Sequence, residues 1–340
     1  MIIYSNWALG LIFIICAILI WVYGIKLSKS IETIVMHYGW GEAIGGIVFL
    51  AIITNLPEIA ITAVAAFNHD YDIAVSNILG GITIQTAVLV LIDIYGVGRK
   101  APLTLKGHSK ILLFEGLTVI IILSLVIAAN KFPTYHYLRN TTAFEWLILF
   151  IWLLSIWGIK RLYQINQIKK LAKHPATIII ANPAKIRSAI LITIVGAIVT
   201  LVAGYGLEVS GELLSKRWGI DGVVFGATIL AFCTALPEIS TGIASAKIRD
   251  YQMAVSDIFG GNAFLPILFL MAALISGESI LPNLKVSDIY LTSVGILLTT
   301  IYMIGMLFHS KKQFFRMGID SIIVLILYAL SIVGLVYINN

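Results

Sequence analysis

Cysteine, charge and patterned histidine are all scarce in this 340-residue chain. Its two cysteines, Cys16 and Cys233, fall far apart inside apolar runs, which argues against a structural disulfide and for small buried hydrophobes. The six histidines sit in loops or at the ends of apolar runs without metal-ligand spacing, which speaks against a zinc centre. No aspartate-rich diphosphate motif, His-Glu-x-x-His or Gly-x-Ser-x-Gly occurs, so an enzyme working through any of these is not expected, and no cofactor with it. Met1–Asn6 lacks a basic stretch, and the first apolar run passes through Trp21 into Lys26 without a small-residue cleavage site. That run reads as a retained span and not as a cleaved signal peptide.

Charged residues make up only 12% of the chain against 59% apolar ones, and the mean hydropathy is +0.99. A single soluble core cannot hide that much apolar surface, so the chain reads as an all-α polytopic membrane protein. Runs of about 20 apolar residues cross a bilayer core of about 30 Å. Ten candidates lie near 7–27, 43–67, 72–95, 109–129, 143–160, 187–214, 222–247, 252–276, 286–309 and 318–338.

The segment from Tyr38 to Gly81 recurs from Trp218 to Gly261 without a gap, 180 residues later. Identity holds at roughly 18 of 44 positions, a repeat by any self-similarity test. Leu50-Ala51, Thr54 and Leu56-Pro57-Glu58-Ile59 match Leu230-Ala231, Thr234 and Leu236-Pro237-Glu238-Ile239. Asp70-Tyr71, Ala74-Val75-Ser76, Ile78 and Gly80-Gly81 match Asp250-Tyr251, Ala254-Val255-Ser256, Ile258 and Gly260-Gly261. The first and sixth candidate spans stand about as far apart, which extends the repeat to five spans plus five. Residues 1–160 and 187–340 are the two halves, with the motif regions at 45–85 and 225–265. Residues 161–186 form a linker long enough for a short amphipathic helix and too short for a regulatory domain.

Most of the 23 Lys and Arg fall on alternate loops; the other side keeps only Lys131, Arg139, Lys216, Arg217 and Lys285. By the positive-inside rule the linker is cytoplasmic and both termini are outside. The net charge of +6 is then a topology signal, with no call for nucleic acid. The turn at Asn68–Tyr71 falls outside and its counterpart at Ile248–Tyr251 inside, so the halves are expected to be inverted repeats, able to surround one central site.

Pro57 and Pro237 cannot donate to the carbonyls of Ile53 and Cys233, and freed carbonyls in lipid need another partner, which a cation supplies. Glu58 and Glu238 follow directly, about fifteen residues into their spans and so near mid-membrane. An ionised Glu there costs at least about 2.5 to 3.5 kcal/mol, which marks a functional group. The alternative is a protonated Glu bonded across a helix interface. Asn77 and Gln85 in the first repeat, Asp257 and Asn262 in the second, are further candidates, and Gln85 can share a face with Asn77. Asp257 could instead be a helix N-terminal acid held by the macrodipole. The paired glycines, Ser76 and Ser256 could serve close helix packing. Glu115, Glu145, Glu208, Asp93, Asp288 and Asp320 lie nearer span ends and read as solvated anchors.

The motifs Thr54-Asn55-Leu56-Pro57-Glu58 with Ser76-Asn77-Ile78-Leu79-Gly80-Gly81, and Thr234-Ala235-Leu236-Pro237-Glu238 with Ser256-Asp257-Ile258-Phe259-Gly260-Gly261-Asn262, resemble the two α-repeats of the cation/Ca2+ exchanger superfamily, nearest to prokaryotic Na+/Ca2+ exchangers. The resemblance covers essentially the whole chain. It implies a ten-helix antiporter of a prokaryotic cell membrane. In it Glu58 and Glu238 coordinate the cations, helped by the Thr54 and Thr234 hydroxyls and the Ala51 and Ala231 carbonyls, while the first and sixth spans slide to switch access. The chain departs from the family pattern where Asn55 and Ala235 replace a Ser and where Gly80-Gly81 and Gly260-Gly261 replace a Gly-Ser pair. Gln85 and Leu265 also stand where an Asn and an Asp are usual. Gln85 is similar to a Gln near the site of cation/H+ exchangers.

An all-oxygen lining suits a hard cation, Ca2+ best, and two Glu can alternatively hold Na+ ions or two protons. Expected partners are inorganic cations and lipid; Na+ and H+ both remain open as coupling ion, and the residues leave oligomeric state undefined. A passive cation channel could use the same ligands but needs a continuous pore, whereas broken helices in inverted repeats point to alternating access.

Overall fold

The computed structural model describes residues 5–38, 50–98, 101–132, 138–171 and 183–339. The first half contains α1 (Asn6–Tyr38), α2 (Leu50–Thr54), α3 (Leu56–Phe67), α4 (Tyr71–Ile92, continued by a π-helical turn Asp93–Val97), α5 (Leu103–Lys106), α6 (Lys110–Ala129) and α7 (Ala143–Leu171). The second contains α8 (Pro183–Trp218), α9 (Gly222–Phe225), a π-helical turn Gly226–Leu230, α10 (Ala231–Thr234) and α11 (Leu236–Lys247). It continues with α12 (Tyr251–Phe264), α13 (Leu268–Ser276), α14 (Val286–Phe308) and α15 (Ile319–Asn339). A two-residue antiparallel ladder, β1 (Gln313–Phe314) with β2 (Met317–Gly318), pairs Gln313 with Gly318 and Phe314 with Met317 between α14 and α15.

Eight helices among the described residues are long and apolar enough to cross a bilayer, and the stretch 222–247 makes a ninth crossing bent by 44°. Of the second expected span only residues 50–67 are described, as α2 and α3, parted at Asn55. Three elements outrun their expected ends, α8 by four residues at each, from Pro183 to Trp218. α1 continues from residue 27 to Tyr38, and α7 runs through residue 160 to Leu171, into the stretch read as linker. Residues 172–182 of that linker, including His174-Pro175, lie outside the described residues, as do 45–49 of the first motif region, while its last residues, from Pro183, already belong to α8.

Burial sorts the helices. The most apolar window of α4 is 94% buried, whereas those of α1 and α8 are each 28% buried. α4 is therefore an axis of the bundle, and α1 and α8, packed extensively on each other, turn Leu11, Ile14, Leu191 and Val202 outward. Apolar side chains in water would oppose folding; against acyl chains they cost nothing.

The repeat is visible bond by bond in the turns. His69 and Arg249, 180 residues apart, both take the left-handed conformation, with φ of 59° and 70°. Asp70 N donates to Ala65 O at 2.8 Å and Asp250 N to Ser245 O at 2.9 Å. Asp70 then caps α4 by accepting from Ile73 N at 3.2 Å, and Asp250 caps α12 by accepting from Met253 N at 3.0 Å. Packing between halves is reciprocal: α8 lies on α3 and α1 on α11, while α4 lies on the π turn before α10 and α12 on α2. The first turn meets the loop after α13, Tyr71 donating to Glu278 at 3.2 Å; the second meets α5, Lys106 donating to Tyr251 at 3.4 Å.

Candidate cation site

Each repeat breaks one residue before its Leu-Pro-Glu. Asn55 (φ −87°, ψ 16°) and Ala235 (φ −79°, ψ −2°) carry no capping side-chain bond, and the proline falls in the first turn of α3 and of α11, where a missing N–H does least harm. Glu58 and Glu238 thus both occupy a first helical turn deep in the bundle, at 0% and 2% exposure. Helix N-termini favour carboxylates, which offsets part of the cost of holding a charge there.

The two halves meet at these acids. Gln85 on α4 donates from Nε2 to Glu58 Oε1 at 3.2 Å, and Thr234, from the other half, faces the same carboxylate. Glu238 lies in the fields of Glu58 and of Asp257. Asn77 donates to the Glu58 carbonyl at 3.5 Å and to Thr62 at 3.4 Å. Thr241 donates to Asp257 Oδ2 at 3.2 Å. Asp257 stands well inside α12, whose cap is Asp250, so it is an interior acid and not the helix-terminal anchor that was its alternative.

What this constellation lacks is hydrogen-bond donors. Glu58 Oε2, both oxygens of Glu238, Asp257 Oδ1 and the amide oxygens of Asn55, Asn77 and Asn262 are buried without a partner. Buried polar atoms are normally satisfied. Orphaned lone pairs on three acids, with Glu238 in the fields of both Glu58 and Asp257, fit positive charge. Among the described residues no three His, Cys, Asp or Glu side chains converge closely enough to form a metal centre alone. A cation here would be held by paired carboxylates completed by neutral oxygens, the ligand set of hard ions.

Two expected ligands are engaged elsewhere. The Ala51 carbonyl accepts from Asn55 Nδ2 at 2.6 Å and from Asn55 N at 3.4 Å. The Ala231 carbonyl accepts from Thr234 Oγ1 at 3.0 Å and from Ala235 N at 3.1 Å. Both carbonyls lie at the broken turns, but the local donors are satisfied there first. Thr54 is buried beside the break at 2% exposure. Asn262 turns to Thr86 Oγ1, donating at 2.9 Å. Leu265, equivalent to Gln85, is fully buried in a 3-10 turn (Leu265–Ile267) and packs near Gly81. One of the repeated glycines packs closely on the site itself: a Cβ at Gly261 would lie 3.1 Å from Asn55 Nδ2 and 3.4 Å from Gln85 Oε1.

The acids expected at solvated span ends are all buried, and most are tied down by the chain. Asp93 accepts from Leu103 N at 2.8 Å, from Gly318 N at 2.7 Å and from Ser321 Oγ at 2.8 Å, fastening α4 to the β1–β2 hairpin. Glu145 takes Thr142 N and Ser279 Oγ, each at 2.6 Å, and Asp288 takes Lys285 N at 2.7 Å. Backbone donors at helix ends replaced the water that the span-end reading assumed. Glu208 at 0% exposure, Asp320 at 9% and Glu115 at 1% are likewise interior.

A cavity of about 510 Å3 opens at one end of the bundle, where Asp70, Asp72, Glu212, Glu278 and Asp288 face Lys216 and Lys285. Its lining reaches Val75 on α4 without including Glu58 or Glu238, and it forms an acidic mouth. Burial holds the Asp70 carboxyl above its ordinary value, with Glu212 and Asp72 adding to the shift against the Ile73 N–H and Lys216.

A bundle of apolar helices closed around unpaired carboxylates, with a broken helix in each half, defines a membrane antiporter fold. The profile of the family described as "Sodium/calcium exchanger protein" matches residues 8–160 and 188–337, and the chain belongs to that family. Among curated relatives, the chain is 26% identical over 243 residues to the inner membrane protein YrbG of Escherichia coli, covering 71% of this chain and 72% of that protein. It is 22% identical over 219 residues to the putative antiporter CaxA of Alkalimonas amylolytica, covering 64% and 65%. Among solved structures, the sodium-calcium exchanger NCX_Mj shares the fold with a TM-score of 0.63 at 20% identity, over 97% of this chain and 99% of that one.

Proposed function

We propose that the protein is a secondary active antiporter that exchanges Ca2+ for Na+ by alternating access at the Glu58–Glu238 site. The observation that carries the reading is the set of orphaned acceptor oxygens around two buried carboxylates from opposite halves. Two Glu match the charge of one divalent ion. The same oxygens accept Na+ ions or protons instead, so competition couples the fluxes. Glu58, Glu238, Asn55, Asn77 and Asp257 offer free lone pairs, Thr54 and Thr234 hydroxyl oxygens, and Gln85 orients Glu58.

Two inverted five-span repeats explain the architecture: the equivalent turns meet loops that the charge count assigns to opposite membrane faces. The termini would lie outside, in a prokaryotic cell membrane, and α1 and α8 are the elements that slide. Their glycines support this. A Cβ at Gly24 would lie 2.5 Å from Pro237, and one at Gly204 would lie 2.6 Å from Ala60 and 3.1 Å from the Pro57 carbonyl. Each long helix thus runs, stripped of side chain, over the broken turn of the other half.

One observation favours H+ as the coupling ion. The second half has Leu265 where the first has Gln85, so that face of the site offers Na+ no ligand, while Gln85 already bonds Glu58. Radioactive Ca2+ uptake into proteoliposomes decides. Uptake driven by a Na+ gradient supports Na+/Ca2+ exchange, uptake driven only by a pH gradient supports Ca2+/H+ exchange, and uptake under neither rules out Ca2+ as substrate.

A further inference from the structure

Glu115 is an interior carboxylate that the midplane site does not use. α6 carries it against α12, where its Oε1 accepts from Ser256 Oγ at 2.7 Å while its Oε2 has no donor. A pocket of about 20 Å3 lies beside it, between α2, α6, α7 and α12, lined in part by Ala51, Thr118, Trp152, Ser155 and Gly260. That is room for one water-sized occupant, since a site needs about 10–15 Å3 to hold one, and too little for a hydrated divalent ion.

The pocket presents acceptors. Thr118 spends its hydroxyl hydrogen on Phe114 O at 2.9 Å and Ser155 spends its own on Trp152 O at 2.7 Å, which leaves their lone pairs for the pocket. Among the described residues no Lys, Arg or His lines it. α2, α7 and α12 present Ala51, Ser155 and Ser256 to Glu115, and among the described residues no ionisable side chain contributes to its field. An ionised carboxylate left so, without counter-charge in an apolar interior, is costly, and Ser256 is the one donor shown in place of water, leaving Oε2 without any.

We propose that Glu115, with the Thr118 and Ser155 hydroxyls, is a binding site for one monovalent cation, dehydrated Na+ or a proton, adjacent to the midplane site and separate from it. Its wall includes Ala51 and Gly260, which belong to the broken turn of α2 and to α12, so filling it bears on the elements that frame Glu58 and Glu238. This deepens the antiporter reading and, for its role, rests on it: the occupant is one of the coupling ions.

The test of the site itself needs no transport. In full-length protein carrying Glu58→Gln and Glu238→Gln, the thermal unfolding midpoint in detergent is followed against Na+ at constant ionic strength and, separately, against pH. Added Na+ or added acid stabilises this background, and the further change Glu115→Gln removes that stabilisation; the arm that responds identifies the ion. The same response with and without Glu115 overturns the proposal. If Glu115→Gln does not fold, Ser256→Ala serves. Loss of its hydrogen bond to a carboxylate, about 1 kcal/mol or more, shifts the half-effective Na+ or H+ concentration by about fivefold, and an unshifted response overturns the proposal. In proteoliposomes with a tenfold gradient of the coupling ion at zero potential, Glu115→Gln accumulates about tenfold less Ca2+ at equilibrium than wild type, one coupling ion fewer. Equal accumulation counts against the proposal. Absence of uptake by wild type under either gradient refutes Ca2+ as the exchanged ion, and the unfolding series still decides whether Glu115 holds a cation.

Discussion

Glu58→Gln and Glu238→Gln each keep the volume of a buried side chain and remove one charge from a site built of acceptors. Removing one partner of a buried charged contact costs about 2–5 kcal/mol, so Ca2+ affinity is expected to fall by about two orders of magnitude in either variant. Equilibrium binding to purified protein reads this, with circular dichroism as control for folding. At the mouth, the raised Asp70 carboxyl favours the protonated folded state. Its stabilising share is present below the ordinary Asp value of 3.8 and lost as pH rises through the raised range. Asp70→Asn keeps an N-cap and removes Asp70's charge beside Glu212, so its unfolding midpoint relative to wild type should be higher at pH 7 than at pH 4. A pH-independent difference would contradict that assignment. Glu58 and Glu238 were legible because Leu-Pro-Glu occurs twice at one offset. Glu115 was not: its counterpart 180 residues later is Gly295, so the repeat gives no signal for it, and its distance from the span end suggested solvent. Only tertiary packing against Ser256 shows that it is interior.

At the scale of elements, hydropathy located the helices well and their ends poorly. α1 and α7 run past their apolar stretches because the helical hydrogen-bond ladder continues into polar sequence. The π-helical turn Gly226–Leu230 and the 44° bend after it carry no hydropathy signal; only Pro237 marked the neighbourhood. The glycine contacts of α1 and α8 give an element-scale prediction. Gly24→Val and Gly204→Val wedge a side chain against Pro237 or against Ala60 and Pro57. Both should slow Ca2+ turnover by about tenfold or more, while Ca2+ affinity changes less than threefold, because the obstruction acts on movement and not on the ligands. A loss of affinity as large as that of turnover would mean that these glycines serve the site's static packing.

Over the whole molecule, the charge count and the repeat frame together predict orientation, a property that packing alone does not define. In protein lacking Cys16 and Cys233, a cysteine at Glu278 should react with an impermeant thiol reagent from outside intact cells. One at Lys106 should react only after the membrane is opened. The reverse pattern would invert the assignment and the direction in which the acidic mouth opens. The account as a whole depends on one shared site. The measurement that tests it most directly is equilibrium Ca2+ binding to purified wild-type protein and to the Glu58→Gln, Glu238→Gln double variant, with Na+ and pH as competitors. Saturable binding in wild type that is displaced by Na+ or acid and is absent from the folded double variant is the predicted result. Binding of equal strength in both proteins would contradict it and move the cation path away from Glu58 and Glu238.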